Sequence, residues 1–218
     1  MARPITIDVV SDVVCPWCYI GKKRLEAALD SLPDIEAEVR WRPYQLDPAI
    51  PPEGQDRKAY MVGKFGSEER IRQMHERVVA LGQAEGIAFD FDAIKVMPNT
   101  LAAHRVIRWA QAAGDGVQSR LVAVLFADYF ERGRNVGGHD VLAAAAGEAG
   151  MDASIVEPLL ATDADVEAVR DEIGTASRMG ITGVPCFLLD GKYAVMGAQE
   201  AQTLADAIRQ VAEEAGTA

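Results

Sequence analysis

The stretch of sequence that decides the fold reads PITIDVVSDVVCPWCYIGK and covers residues 4–22. Its first part, Pro4 to Val10, is rich in β-branched residues that largely alternate, which predicts a buried strand. Cys15 and Cys18 follow after a short turn, and only two residues separate them. Apolar residues then recur at helical spacing until Pro33, which predicts a helix. The first cysteine is therefore expected at a strand-to-helix turn.

The pattern beyond this stretch predicts one more strand, a long helical block and a mixed C-terminal segment. The second strand is expected over residues 36–44. The block is expected to contain an extended or irregular stretch at 87–96 and helices at 67–86, 99–114, 117–131, 140–148 and 153–160. A helix over 163–180 and strands at 186–189 and 192–196 follow, and Asp190-Gly191 is a strong hairpin signal between the strands. A last amphipathic helix is expected over 199–215.

These elements combine into strand–helix–strand, a helical block, and helix–hairpin–helix. The order predicts an α/β protein with a thioredoxin fold and an inserted all-helical domain. We expect residues 1–50 to form the first half of that fold, 51–160 the helical insertion, and 161–218 the second half. The sequence contains no repeat and no low-complexity linker.

Composition and charge limit the classes of binding partner and the cellular compartment that we expect for this protein. The chain has 218 residues, 49% hydrophobic and 25% charged, which is typical of a globular protein. The net charge of −11 is spread along the chain and argues against a nucleic-acid partner. The N-terminal apolar run is short and interrupted by Asp8, Ser11 and Asp12, and no stretch is long enough to span a membrane. We therefore expect a cytoplasmic protein without a membrane partner, in a compartment where cysteine pairs are more often catalytic or metal-binding than structural.

The spacing of Cys15 and Cys18 is typical of a dithiol–disulfide redox centre. Backbone N–H groups and the dipole at a helix start stabilise a thiolate at the first cysteine, and Pro16 suits the first turn. Two intervening residues let the second sulfur resolve a mixed disulfide on the first. Two inert buried cysteines are an alternative. A structural zinc site is another, but it needs four ligands, and no second close pair exists among Cys186, His75, His104 and His139. We therefore expect no metal.

The run Gly183-Val184-Pro185, directly before a predicted strand, strengthens the redox interpretation. In the thioredoxin fold a proline at this place follows a cis peptide bond and lies against the cysteine pair. We therefore expect a cis bond at Val184–Pro185, with Pro185 beside Cys15 and Cys18.

Taken together, these motifs resemble the DsbA-like FrnE proteins over nearly the whole chain. The resemblance rests on CPWCYIGK at residues 15–22, preceded by Asp8 and Ser11-Asp12, on PNT at 98–100 followed by AHR at 103–105, and on TGVP at 182–185. It extends to hydroxychromene-carboxylate isomerases and kappa-class glutathione transferases, which carry serine at the position of Cys15 and use glutathione. Cys186 departs from the pattern, since the family more usually has a bulky apolar residue or threonine there.

The resemblance and the cysteine pair together imply a protein-disulfide oxidoreductase. The catalytic residues would be Cys15 and Cys18, and the substrate-binding residues would be Pro16, Trp17, Val184, Pro185, Asn99 and His104. No cofactor is implied, but glutathione is a plausible co-substrate, and the partners would be protein or small-molecule thiols and disulfides. A homodimer is compatible with the sequence. The main alternative function is a glutathione-dependent isomerase or transferase, and a non-enzymatic alternative is a redox-sensing or holdase module.

Three residues have a second interpretation. Asn99 is also explained as a helix cap, because asparagine is favoured there. His104 is also explained as a partly buried, hydrogen-bonded histidine. Cys186 is expected to be a small core residue, and the alternative is a second resolving thiol beside Cys15.

Overall fold

The structure is a computed structural model of the chain, and it describes residues 4–216. The strands, in chain order, are β1 (Ile5–Ser11), β2 (Ala37–Pro43), β3 (Gln55–Asp56), β4 (Val96–Met97), β5 (Cys186–Leu189) and β6 (Tyr193–Met196). The helices are α1 (Pro16–Asp30), α2 (Arg57–Phe65), α3 (Glu68–Ala84), α4 (Leu101–Ala110), α5 (Val117–Phe130), α6 (His139–Ala149), α7 (Ala153–Leu160), α8 (Val166–Arg178) and α9 (Ala201–Gly216). The order agrees with the predicted α/β organisation.

A four-stranded mixed sheet, in the order β2-β1-β5-β6, forms the centre of the fold. The pair β1 and β2 is parallel, whereas β5 is antiparallel to both β1 and β6. The alternation of β1 puts Ile7 and Val9 into the core shared with α1 and α9, and Val10 into a smaller cluster with Ala176 of α8. Helices therefore cover both faces of the sheet, and the cysteine pair begins the helix on one face.

The helical block between β2 and α8 is not entirely helical. Strands β3 and β4 form a two-stranded antiparallel sheet in which Gln55 pairs with Met97. The insertion is helical as expected, and this short sheet is an addition that the sequence pattern does not predict. The pairing satisfies backbone groups where two non-helical segments meet, and two residues are too few to show an alternating pattern.

A glutamine side chain attaches the helical block to the edge of the central sheet. The side-chain oxygen of Gln118 in α5 accepts the backbone N–H of Trp41 at 2.9 Å, and its nitrogen donates to the carbonyl of Trp41 at 3.3 Å. Trp41 lies on β2, the edge strand of the sheet. The amide of Gln118 thus replaces one residue of a neighbouring strand, which protects the edge from pairing with another chain.

Local sequence signals agree with the structure at two places. The hydroxyl of Ser67 accepts the backbone N–H of Arg70, as expected for the N-cap of α3. The predicted hairpin at Asp190-Gly191 is present, and both residues have positive φ, 50° and 65°. Its loop contains three residues, 190–192, and not the predicted two, because Leu189 pairs with Tyr193. None of the helices found between residues 4 and 216 has both the length and the apolar character needed to cross a bilayer.

Candidate active site

The first cysteine of the pair lies at the N-terminus of α1, as predicted. Cys15 is the N-cap residue with extended backbone angles, and Pro16 occupies the first helical turn. The backbone N–H of Cys15 donates to the carbonyl of Asp12 at 3.0 Å, and the N–H of Cys18 donates to the carbonyl of Cys15 at 3.0 Å. The turn therefore holds the Cys15 side chain at the positive end of the helix dipole, where a thiolate is stabilised.

The loop before β5 lies against this cysteine. The peptide bond between Val184 and Pro185 is cis, which agrees with the expectation from the sequence. The Cys15 thiol donates to the carbonyl oxygen of Val184, with 3.8 Å between sulfur and oxygen. The Pro185 ring packs so closely on α1 that a Cβ atom at Gly21 would lie 2.9 Å from Pro185 Cγ. Residues distant in sequence thus meet at the cysteine pair.

The second cysteine is enclosed more completely than the first. Cys18 is 1% exposed and Cys15 is 4% exposed. Burial raises the pKa of Cys18 well above its usual value, and the hydrogen bond and charge of Cys15 raise it further. Cys18 therefore keeps its proton near neutral pH.

The third cysteine lies on the other side of the sheet. Cys186 is fully buried in the cluster with Val10, Ala176 and Ile181, whereas Cys15 and Cys18 belong to the core on the α1 side. Burial raises the pKa of the Cys186 thiol. This placement favours the interpretation of Cys186 as a core residue over that of a second resolving thiol.

We predict that Cys186 is unreactive in the folded protein. Iodoacetamide should modify it only after denaturation, because its sulfur is buried among apolar side chains. Peptide mapping of alkylated protein, native and denatured, tests this. Rapid labelling of Cys186 under native conditions, or a Cys15–Cys186 disulfide, would make it part of the site.

The residues expected to bind substrate are distributed unevenly. Pro16, Trp17 and Val184 are half-buried around the cysteines, and Pro185 is buried. Their role toward substrate remains a prediction.

Asn99 is half-buried, and its side chain accepts the N–H of Leu101 in α4 and donates to a backbone carbonyl. The contact with Leu101 lies at the start of α4, whose N-cap residue is Thr100, and the other partners are Ile50 and Gln45.

His104 does not line an open groove. Its ring is buried, with Nε2 at 2.8 Å from the carbonyl oxygen of Tyr44 and 3.4 Å from Oδ1 of Asp12. We expected this ring to line the groove that faces the cysteine pair. The structure instead places it in the interior, directly behind the cysteine turn. Asp12, which was noted only as part of a motif, is the site residue that the sequence analysis missed. An aspartate that precedes Val13 and Val14 in an apolar run, three residues before Cys15, is the signal that could have revealed it.

A groove of about 980 Å³ lies away from the cysteines, between α2, α3 and residues 89–95. Within it the His75 ring stacks on Phe91, with 4.0 Å between ring centroids, and the Arg57 guanidinium lies over the same Phe91 ring, 5.5 Å from its centroid. No sequence signal distinguishes His75 from a solvent-facing histidine. Burial, and then the charge of Arg57, lower the pKa of His75 to about 4.

We predict that His75 stays neutral well below its ordinary pKa and that this affects stability at acidic pH. As the pH falls from about 6.5 toward about 4, His75 becomes protonated in the unfolded chain but stays neutral in the folded chain. The free energy of unfolding therefore decreases over this range. NMR titration should give an apparent pKa near 4, and a His75→Gln variant should lose less stability over this range. A pKa near 6.5 would contradict the stacking geometry.

The geometry of the titratable side chains does not suggest a metal centre. Within residues 4–216, no group of three or more His, Cys, Asp or Glu side chains converges as metal ligands do. The contacts described above join two thiols, the turn that holds them, and the loop at Val184–Pro185.

The fold and this site define a class of thioredoxin-fold proteins with a cysteine pair at the start of a helix. The family model of the DSBA-like thioredoxin domain matches residues 6–209, and the chain belongs to this family.

Solved structures similar to this chain include three informative ones. A "probable DsbA oxidoreductase" from Streptomyces coelicolor is 32% identical, with a TM-score of 0.86 over 96% of this chain and 91% of that one. A 2-hydroxychromene-2-carboxylate isomerase is 17% identical, with a TM-score of 0.72 over 97% and 98%. The cytosolic disulfide reductase DsbM from Pseudomonas aeruginosa, solved with GSH, is 18% identical, with a TM-score of 0.62 over 97% and 98%. The last two show that the whole fold, including the helical block, is shared.

Proposed function

We propose that this protein is a thiol–disulfide oxidoreductase that exchanges disulfides through Cys15 and Cys18. The observation that supports the proposal most is the unequal pair at the start of α1. Cys15 lies at the helix N-terminus against the carbonyl of Val184, and Cys18 is more completely buried, which raises its pKa. This arrangement separates an attacking thiol from a resolving thiol.

The exchange then proceeds in two steps. The Cys15 thiolate attacks one sulfur of a substrate disulfide, a bond forms between Cys15 and that sulfur, and the other substrate sulfur leaves as a thiolate. The Cys18 thiol loses its proton and attacks Cys15, so that a Cys15–Cys18 disulfide forms and the second substrate thiolate leaves. The substrate is reduced by two electrons and the protein is oxidised by two electrons. The reverse sequence oxidises a dithiol.

Glutathione is the co-substrate that we propose for restoring the dithiol. The structure of DsbM with GSH supports this, because that protein has the same fold and is described as a cytosolic disulfide reductase. We further propose a cytoplasmic location, where protein and small-molecule disulfides are reduced at the expense of glutathione. Backbone groups around Val184, which is half-buried beside Cys15, would pair with the substrate chain.

Catalysed reduction of insulin disulfides by dithiothreitol tests the proposed function. The wild-type protein should accelerate insulin reduction. With a Cys15→Ser variant, the reaction should proceed only at the uncatalysed rate. A Cys186→Ala variant is the matched control, since its sulfur lies on the other face of the sheet. Absence of any acceleration by the wild-type protein, for insulin and for glutathione disulfide alike, would contradict the proposal.

A glutathione-dependent isomerase or transferase is the second candidate. The overall similarity to the 2-hydroxychromene-2-carboxylate isomerase favours it, with a TM-score of 0.72. In that case Cys15 would hold or activate glutathione, and Cys18 would be dispensable. Cys18→Ser distinguishes the candidates, because redox turnover requires both sulfurs and isomerisation requires only one.

A further inference from the structure

The groove of about 980 Å³ contains an arginine whose charge the protein does not neutralise. Arg57 is the first residue of α2 and is half-buried in this groove. Its guanidinium contacts three neutral groups, which are the carbonyl oxygen of Phe91 and Nε2 of His75, each at 3.4 Å, and the hydroxyl of Tyr129. Within residues 4–216 the guanidinium forms no ion pair.

This guanidinium keeps hydrogen-bonding capacity for a ligand. It has five N–H donors, and its two contacts of 3.4 Å are longer than the usual hydrogen bond of about 2.9–3.0 Å. Because a guanidinium can only donate, Nε2 of His75 is the acceptor, and the ring is neutral with its proton on Nδ1. A carboxylate matches the planar guanidinium, since its two oxygens accept two parallel N–H bonds.

The walls of the groove favour an aliphatic ligand over an aromatic one. Met61 and Val62 of α2 line the groove and are half-buried, and so is Val79 of α3. None of the residues of α2 is buried, so the apolar side of this helix is only partly covered. Phe91 on the floor is buried and the His75 ring already stacks on it, which leaves little aromatic surface for a ligand. The volume lies in the range of small-molecule pockets, about 300–1,000 Å³.

The charges at the rim of the groove decide which anion fits. Most of them are joined in ion pairs, which are Lys58–Glu68, Arg72–Glu69 and Arg72–Glu76. Asp56 and Asp90 accept backbone N–H groups, and Asp92 is exposed, so negative charge remains at the mouth. Exposed charges are screened beyond about 10 Å at 0.1 M salt, but at close range they disfavour a doubly charged phosphate. A singly charged carboxylate is the anion that this rim tolerates.

We propose that this groove binds a small aliphatic carboxylate, with its head group on Arg57 and its chain between α2 and α3. The carboxylate supplies the negative charge that Arg57 lacks, and the chain covers apolar side chains that α2 leaves partly exposed. The site is separate from the proposed redox centre, because Cys15, Cys18 and Val184 do not line the groove.

Octanoate is the probe for this site, and octan-1-ol and octylammonium are its matched controls. The three share one chain and differ only in the head group. Binding to the reduced wild-type protein near neutral pH is measured by titration calorimetry. Octanoate should bind more tightly than either control by about tenfold or more, because only a carboxylate can accept charge-assisted hydrogen bonds from Arg57.

NMR spectroscopy locates the bound probe. The Met61 methyl signal and the ring signals of His75 should shift when octanoate is added, since both side chains line the groove. A Cys15→Ser variant should bind octanoate as the wild type does. Loss of binding in that variant would place octanoate at the cysteine pair and would overturn the inference.

Arg57→Gln tests the residue assigned to the head group. This substitution keeps N–H donors and removes the charge, so it should weaken octanoate binding by about tenfold or more and leave octan-1-ol binding unchanged. Arg72→Gln is the matched control, because Arg72 lines the same groove but is already paired with Glu69 and Glu76. Its effect on octanoate binding should stay below about threefold.

Four results would overturn the inference. They are absence of octanoate binding at millimolar concentration, octylammonium binding as tight as that of octanoate, equal weakening by Arg57→Gln and Arg72→Gln, and tighter binding of an apolar peptide with a free C-terminal carboxylate. The second would mean that the acidic rim selects the ligand, and the last that the ligand is a chain end. The comparison of the three probes needs only the wild-type protein, so it decides the matter even if Arg57→Gln does not fold. Disulfide exchange is measured separately, and its failure would leave the octanoate result unchanged.

Discussion

Replacing Cys18 by serine should abolish catalytic disulfide exchange and leave Cys15 trapped in a mixed disulfide. Cys15 keeps its place at the N-terminus of α1 and its contact with Val184, so the first attack still occurs. The serine hydroxyl cannot form a disulfide, so the mixed disulfide is released only by an external thiol. Turnover should fall to the uncatalysed rate, and mass spectrometry of protein treated with glutathione disulfide should show one glutathionyl group per chain.

A control experiment on the wild-type protein measures which of Cys15 and Cys18 is alkylated first. Sub-stoichiometric iodoacetamide should modify Cys15 of the reduced wild-type protein first, because burial raises the pKa of Cys18. Full turnover by Cys18→Ser would mean that one sulfur suffices, as in the isomerase or transferase alternative. Preferential labelling of Cys18 would reverse the assigned roles.

Substitution of Gly21 by alanine should destabilise the fold and disturb the active site together. In most helix interiors this change stabilises, since glycine costs about 1 kcal/mol relative to alanine. Here the new Cβ would lie 2.9 Å from Pro185 Cγ and 3.2 Å from Phe187 Cζ, so the loop that carries Val184 must move. Overpacking of this kind costs about 1–3 kcal/mol. Urea unfolding should show the loss of stability. The reaction of Cys15 with 5,5′-dithiobis(2-nitrobenzoic acid), followed by the release of thionitrobenzoate, should slow.

Gly63→Ala is the matched control for this substitution. Gly63 lies within α2, and a Cβ atom there would meet nothing within 4 Å. This variant should be as stable as the wild type or more stable by up to about 1 kcal/mol. If Gly21→Ala behaves like Gly63→Ala, the close packing of Pro185 on α1 is not a constraint on the site.

The sequence predicts those parts of the structure that depend on short-range signals. The turn at Cys15, the hairpin at Asp190-Gly191 and the N-cap at Ser67 each need only the residue types within a few positions, and the structure agrees at all three. The position of the Val184–Pro185 loop beside Cys15 follows from the order of elements, because β5 pairs with β1, the strand that leads into Cys15.

The contacts that sequence analysis missed join polar residues that are distant in the chain. Asp12 and His104 meet only because α4 packs beside the end of β2, and Gln118 reaches Trp41 only because α5 lies at the edge of the sheet. Histidine, aspartate and glutamine are common on protein surfaces, so their residue types do not indicate burial. His104 and His75 look alike in sequence, whereas one is paired with a carboxylate and the other is stacked on a phenylalanine.

Equilibration of the protein in buffers of graded glutathione to glutathione-disulfide ratio tests the central claim most directly. After an acid quench and alkylation, peptide mapping counts the free thiols and identifies the linked cysteines. We predict one two-electron transition between a form with three free thiols and a form in which Cys15 is linked to Cys18 and only Cys186 is free. A protein that forms no Cys15–Cys18 disulfide at any ratio, or that links Cys15 to Cys186, would contradict the account.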